Sequence, residues 1–327
     1  MRIARLQVDG DPRVGVVEDE GLQPLTADTT VERLLAASPE ERAEIVDNSR
    51  EGDPVPLSGA PLLAPVQPSA LRDFLVFEEH LEGSLGLLGA QEPHPAWFGQ
   101  PLFYFSNANA VVGPDAPIEV PPGCRKLDFE LELAAVIGKP GKDLSPDQAA
   151  EHIAGYTIFN DWSARDLMGP VIGFGMGPVK GKDFANTLGP WIVTADELEP
   201  YRQGDRLALE MHAELNGVPL PAGGDSSANM SWSFEELVAY ASRGVELRTG
   251  EVLASGTSGA GCLLEYWARL GVEEPPPLQP GDMVTLVVEG IGSVSNRIVP
   301  GVEPIPVPTA RVGLPRRDRP WTRGAHA

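Results

Sequence analysis

Cysteine is nearly absent: the 327 residues include two, Cys124 and Cys262, far apart and in no metal-type spacing. That excludes a disulfide framework and a thiolate zinc module, and both are expected as packing thiols. Histidine is scarce too, with five in the chain, so each can be weighed separately as a base near neutral pH. Basic residues number 25 against 47 acidic ones, a formal charge of −22. Such a chain repels nucleic-acid phosphates and anionic membranes, and a cation is the guest it favours. No run approaches the ~18 apolar residues of a membrane helix. The opening residues 1–7 hold no uninterrupted apolar stretch, and no repeat appears. A cytoplasmic protein with no membrane and no nucleic-acid partner is expected.

Glycine and proline, at 36 and 33 residues, are plentiful. They imply many turns and short strands, hence a β-rich α+β protein. Residues 1–64 read as a small N-terminal α+β domain, with strands at 3–8 and 14–17 and helical pieces at 31–37 and 39–46. Ser38-Pro39-Glu40-Glu41 starts the second piece, with a cap, a first-turn proline and a glutamate at the third helical position. A Pro/Gly/Ser-rich connection over 52–68 leads into a larger domain at 65–305. The Arg/Pro-rich tail at 306–327 has too few apolar residues to pack alone and reads as disordered or as a docking arm.

In the larger domain, residues 72–81 read as a short helix, and Ser145 and Ser233 as caps of two more. Strands are expected at 156–159, 191–194, 207–215, 252–254 and 283–288, the last closing the fold, with a helix at 262–270. A turn is expected at 163–167. The glycine-rich segment 169–181 reads as a loop able to approach a ligand. Its Gly173-Phe174-Gly175-Met176-Gly177 follows no strand and opens no predicted helix, so it is not read as a phosphate cradle.

Residues 127–138 are the stretch around which the chain is organised. Leu127, Phe129, Leu131 and Leu133 alternate with Asp128, Glu130, Glu132 and Ala134, which on a strand puts three carboxylates on one face and core on the other. Like charges in a row repel, so the row is either solvated or neutralised by a cation; both readings stand at this point.

Among the histidines, His94, His152, His212 and His326 lie in loop, polar-face or tail contexts and read as surface residues. His80 differs, because Phe74, Leu75 and Phe77 hold its segment against the domain. Glu265 is flanked by Leu263, Leu264, Tyr266 and Trp267, which predicts partial burial and a partner such as a histidine; a helix-terminal glutamate favoured by the dipole reads equally well. Asp161 stands at a strand-to-helix junction, where it could be an N-cap, and Lys182 is a solvated lysine unless the glycine loop walls a pocket.

Six segments in order resemble the fumarylacetoacetate hydrolase family from about residue 71 to 299. They are Arg72-Asp73-Phe74 with His80, Asp128-Phe129-Glu130-Leu131-Glu132, Asn160-Asp161-Trp162-Ser163-Ala164-Arg165-Asp166, Gly181-Lys182-Asp183-Phe184, Ser255-Gly256-Thr257 with Glu265, and Gly281-Asp282 with Glu289-Gly290-Ile291-Gly292. The resemblance implies a mixed β-sandwich roll, a homodimer, and Mg²⁺, Mn²⁺ or Ca²⁺ used on a small-molecule 2-oxo or β-diketo acid. It makes Glu130, Glu132 and Asp161 the metal carboxylates, with Asp73 a fourth. His80 becomes the general base, Glu265 the carboxylate that orients it, Lys182 the stabiliser of oxyanion charge and Thr257 a substrate contact. An all-oxygen site is also what a hard divalent cation requires. Departures from the pattern fall at Leu75, Gly89, Met168 and Asn186, and in residues 170–173, which offer no tyrosine. They remove polar partners for a fumaryl carboxylate, so Leu75, Met168 and Asn186 are expected to shape a less polar distal wall for a different acid. The activity implied is metal-dependent C–C bond hydrolysis of an acylpyruvate or β-diketone. A hydratase, isomerase or 2-oxo-acid decarboxylase is the alternative, and a non-enzymatic metal-binding protein a third reading.

Overall fold

The computed structural model describes residues 1–19, 21–85 and 90–310; the readings of Gly89, His326 and the tail beyond residue 310 lie outside the described residues. Two sheets organise the chain. The larger has twelve strands. Its middle is an antiparallel pair, Leu131–Ile137 and Ile153–Asp161, in register from Leu131 opposite Asn160 to Ala135 opposite Tyr156. Val252–Ala254 pairs with the first of these, and Leu71–Phe74 lies parallel beyond it, followed by Phe103–Ser106. On the other side, Asn186–Thr194 pairs with Ile153–Asp161 and is joined in turn by Arg2–Val8. The smaller sheet carries Glu210–Leu215, Met283–Val288 and Gly292–Val299.

The sequence alternation holds over residues 131–137, but both faces are inside. Leu131, Leu133, Ala135 and Ile137 enter the larger core between the sheets. Ala134 and Val136 enter a second core with Ile3, Val16, Leu34 and Leu35 of the N-terminal segment. Of the two readings of the acidic row, the solvated one falls: a sheet covered on both sides has no solvated row, and Asp128, Glu130 and Glu132 are buried. Truncating Leu133, which has no exposed surface, would cost about 2–5 kcal/mol. The strand is also broken, Leu127–Asp128 pairing instead with Ser163–Ala164, so Asp128 is not in line with Glu132.

Several local expectations are revised. Residues 72–81 are not one helix: Leu71–Phe74 is a strand in the main sheet, and the helix is Glu78–Ser84. The turn after Asp161 is a full helix, Arg165–Ile172, that takes in the start of the glycine-rich loop despite Pro170. The connection at 52–68 contains two short strands, Val55–Pro56 and Leu62–Leu63, that pair with the N-terminal segment. Residues 207–215 form two pieces, and Gly292–Val299 rather than Met283–Val288 comes last. The three capping boxes, Ser38 with Glu41, Ser145 with Gln148 and Ser233 with Glu236, form as read. Among the described residues no helix is long and apolar enough to cross a membrane.

Candidate active site

Four buried carboxylates meet where the main sheet ends. Asp73 comes from the strand Leu71–Phe74, Glu132 from Leu131–Ile137 and Asp161 from the last position of Ile153–Asp161, while Glu130 sits in the gap before residue 131. One oxygen of each lies within 4.8 Å of the others. The surrounding motif residues explain this convergence. Asn160 accepts the Glu130 N–H at 3.0 Å, and the Trp162 indole donates to Thr187 at 2.9 Å, so the Asn-Asp-Trp run pins the strand end on both sides of Asp161. Gly256 donates its N–H to Glu132 Oε2 at 2.9 Å. Its φ is +85°, and a Cβ there would stand 2.3 Å from the Phe74 carbonyl, so this approach requires glycine.

Two buried cations face the cluster. Lys182 donates through Nζ to Glu130 Oε2 and Asp161 Oδ2. Arg165 Nη1 lies 2.8 Å from Glu130 Oε1, and its Nε donates to Asp128 at 2.8 Å. Tyr104 adds a hydroxyl donated to Asp161. The balance is uneven. Burial and neighbouring carboxylate charge push Asp73 and Glu132 well above the ordinary range. Burial raises Asp161 as well, against the pull of Lys182. For Glu130 burial works in the same direction, but Lys182 and Arg165 outweigh it and hold the carboxyl low. Burial likewise disfavours the Lys182 ammonium, yet Asp161 and Glu130 keep it above its usual value. Asp73 Oδ1, Glu132 Oε1 and Asp161 Oδ1 are buried and lack a hydrogen-bond partner. Three bare carboxylate oxygens in one all-oxygen cluster fit a hard divalent cation.

The second element of the site is a pair. His80, on Glu78–Ser84, places Nδ1 2.9 Å from Glu265 Oε1 on the helix Leu263–Leu270. Gly83 lets the helices touch, since a Cβ there would be 2.8 Å from Glu265 Cγ. The other Glu265 oxygen accepts the Ala260 N–H at 2.8 Å and Arg269 Nη2 at 3.2 Å. Asp128 belongs to this frame: its oxygens accept the N–H groups of Leu263 and Leu264 at 2.8 and 3.0 Å, capping the helix that carries Glu265. Asp128, the third acid of the row, is thus a cap from 135 residues away.

A cavity of about 270 Å³ joins the two elements. Asp73, Glu130, Glu132, Lys182, His80 and Thr257 line it, and Leu75, Leu102, Phe103, Met168 and Ile172 supply apolar wall. Gly181 is needed here, since a Cβ would lie 2.5 Å from Met168 Cβ. Asn186 does not line the cavity; its amide is spent on Ser106 and the Asn107 carbonyl. His94, His152 and His212 lie elsewhere, against Ala96, Lys139 and Glu214. Sequence reasoning missed Tyr104, Arg165 and the position of Cys262. Arg165 lay inside a quoted motif, but the apolar run around Tyr104 carried no signal.

The family model for the fumarylacetoacetate (FAA) hydrolase C-terminal domain matches residues 71–299, and a model described as Rv2993c-like, N-terminal matches residues 1–65. The chain belongs to the fumarylacetoacetate hydrolase family. It is 29% identical over 310 residues to a fumarylacetoacetase of Oryza sativa, covering 76% of this chain and 72% of that one. It is 33% identical over 205 residues to the mitochondrial oxaloacetate tautomerase fahd2 of Xenopus laevis, covering 61% of this chain but only 58% of that protein. The solved fumarylacetoacetate hydrolase of Exiguobacterium antarcticum superposes with a TM-score of 0.71 at 27% identity, over 92% of this chain and all of that one. The fold is the mixed, sheet-rich α+β fold of the family.

Proposed function

We propose that this family member is a divalent-metal-dependent hydrolase that cleaves a C–C bond of a β-diketo or acylpyruvate-type acid. The observation that carries the reading is the 2.9 Å contact between His80 Nδ1 and Glu265 Oε1, on a histidine lining the cavity that Asp73, Glu130 and Glu132 of the carboxylate cluster also line. Asp73, Glu130, Glu132 and Asp161 would hold Mg²⁺, Mn²⁺ or Ca²⁺. Such an ion, when bound, supplies a Lewis acid that polarises substrate oxygens.

The protein's own groups do the rest. Glu265 accepts Nδ1–H of His80 and so fixes the tautomer, leaving Nε2 to take a proton from water. The hydroxide adds to the substrate carbonyl, and the C–C bond breaks with its electron pair leaving as an enolate. His80 Nε2–H then returns the proton to carbon, giving two acids from one acid and one water. A lysine has three N–H donors, and two are spent on Glu130 and Asp161, so Lys182 keeps one for oxyanion charge. Thr257 contacts the polar end of the substrate, and Leu75 and Met168 enclose its distal end; that wall argues for an acid less polar than fumarylacetoacetate. Asn186 supports the Ser106–Asn107 turn instead of touching substrate. The reading extends to a cytoplasmic homodimer: Phe105, Met176 and Val179 are exposed together beside Lys182, and sedimentation at twice the chain mass is the expected outcome.

Similarity to an oxaloacetate tautomerase favours one second reading, in which the same pair moves a proton without cleaving the chain. Metal-reconstituted protein assayed against acylpyruvates, β-diketones and oxaloacetate separates the two, because hydrolysis yields two products and tautomerisation one. His80→Ala should lower turnover about 10²–10⁴-fold with metal affinity unchanged. Turnover that survives thorough chelation, or a His80→Ala protein as fast as its parent, would sink the proposal.

A further inference from the structure

Cys262 has no part in the chemistry above, yet it lies against the base. Its sulfur is 3.7 Å from His80 Nδ1 and 3.7 Å from Glu265 Oε1, and those two atoms are 2.9 Å apart. Cys262 and Glu265 have no exposed surface, and His80 is 5% exposed through the cavity it lines. The three atoms therefore form a triangle with one ring nitrogen, one sulfur and one carboxylate oxygen, of which His80 belongs to the cavity lining. A tetrahedral zinc ion, with bonds of about 2.3 Å to sulfur and 2.0–2.2 Å to nitrogen and oxygen, sets its ligand atoms roughly 3.3–3.6 Å apart. The triangle is within a few tenths of an ångström of that spacing on every edge. Its donor set is also the one that separates borderline-soft cations from the hard ions suited to the all-carboxylate cluster.

We infer that His80, Cys262 and Glu265 form a second, inhibitory cation site for Zn²⁺ or a similar thiophilic divalent ion, distinct from the four-carboxylate cluster. Three protein ligands leave the fourth position to a water, the arrangement of an open zinc site. Proton balance is simple. The imidazole stays neutral by losing its proton at Nδ1 and gaining one at Nε2, and the Cys262 thiol releases one proton to solvent per ion bound. Burial and the nearby Asp128 carboxylate push the Cys262 thiol well above its ordinary range, so its proton leaves only as the cation takes the sulfur. Occupancy leaves His80 Nε2 protonated and severs the contact with Glu265, so the base is disabled while the carboxylate cluster remains free to hold its own ion. This inhibitory consequence rests on the hydrolase reading; the site itself does not.

The test uses the full-length protein with its carboxylate cluster saturated by Mg²⁺, titrated with Co²⁺ as a spectroscopic probe and, separately, with Zn²⁺. A near-ultraviolet sulfur-to-cobalt charge-transfer band and release of one proton per ion are expected in the parent and in Cys124→Ser. Both should disappear in Cys262→Ser and in Cys262→Ala, two replacements that guard against one failing to fold, with parent-like melting temperatures as the check. Zinc inhibition of the magnesium-loaded protein should weaken by at least the 10–100-fold typical of losing even an outer partner of a metal ligand. A parent without the band, a band that persists in both Cys262 variants, or zinc inhibition unchanged in them overturns the inference. If no turnover is found for any substrate, the band and proton release still decide the site, so failure of the hydrolase reading is distinguishable from failure of this one.

Discussion

The two sides of the cavity solve the problem of buried charge in opposite ways. The pair His80–Glu265 is internally satisfied: each Glu265 oxygen has a donor at 2.8–2.9 Å, and the Lys or Arg paired with it among the described residues, Arg269, is 42% exposed on its side chain. The cluster Asp73, Glu130, Glu132 and Asp161 is not. It has two buried cations for four carboxylates and retains three unpartnered oxygens. A satisfied pair can be rigid without a ligand, whereas an unsatisfied cluster stores repulsion that a cation relieves. Positioning of the base and binding of the hard ion are thus assigned to different sides of one site.

The largest effect should come from removing the cation the cluster depends on. Lys182→Met leaves Glu130 with Arg165 alone and Asp161 with no charged partner, and loss of one member of a buried ion pair costs about 3–5 kcal/mol. The metal-free variant should unfold at much lower temperature than the parent, and saturating Mn²⁺ should restore most of the loss. Equal melting temperatures without metal would break the contrast between the two sides.

The pH dependence is the next test. Asp73, Glu132 and Asp161 have raised values in the folded protein, so between the ordinary carboxylate range and those raised values the folded state binds more protons than the unfolded chain. Their contribution is fully present at acid pH and is lost as pH rises through that window. Glu130 is shifted the other way, so its contribution is already present above the ordinary carboxylate range and adds no slope there. Metal-free protein should therefore lose stability as pH rises above the ordinary carboxylate range, by up to ~1.4 kcal/mol per pH unit for each excess proton. Metal-saturated protein should not, since the ion holds the carboxylates deprotonated; denaturant melts with and without chelator read both.

How much of this was legible in the residues depends on whether the determinant was local. Capping boxes operate between a residue and its third neighbour, and all three read from sequence form. The alternation at 131–137 was equally plain, but not that its second face is covered, because the cover comes from Ile3, Val16 and Leu34. The helix expected at 72–81 failed because four residues between two partner strands take their conformation from pairing, Leu71–Phe74 lying between Val252–Ala254 and Phe103–Ser106. Of the site, His80, Glu265, Lys182 and the four acids come together as the motifs led one to expect. Tyr104 and the cap supplied by Asp128 did not show, since both act across the chain on groups with no fixed sequence offset.

Two smaller effects complete the contrast. Glu132→Gln replaces a buried carboxylate, burdened by burial and by Asp73 and Asp161, with a neutral isostere. Metal-free protein should gain about 1 kcal/mol, roughly 2 °C in melting temperature for a chain of this size, while ion affinity falls sharply. A melting temperature that drops would mean that the cluster is not under like-charge stress. Arg269→Met probes the other side, where the guanidinium bridges Glu79 and Glu265 at the surface. Solvent screening limits the loss to about 0.5 kcal/mol, and Ala260 and His80 still hold Glu265, so turnover should fall less than about threefold with an unshifted pH profile. A large loss of turnover would show that Glu265 depends on a distant cation much as Glu130 depends on Lys182, and that the two sides differ in degree rather than in kind.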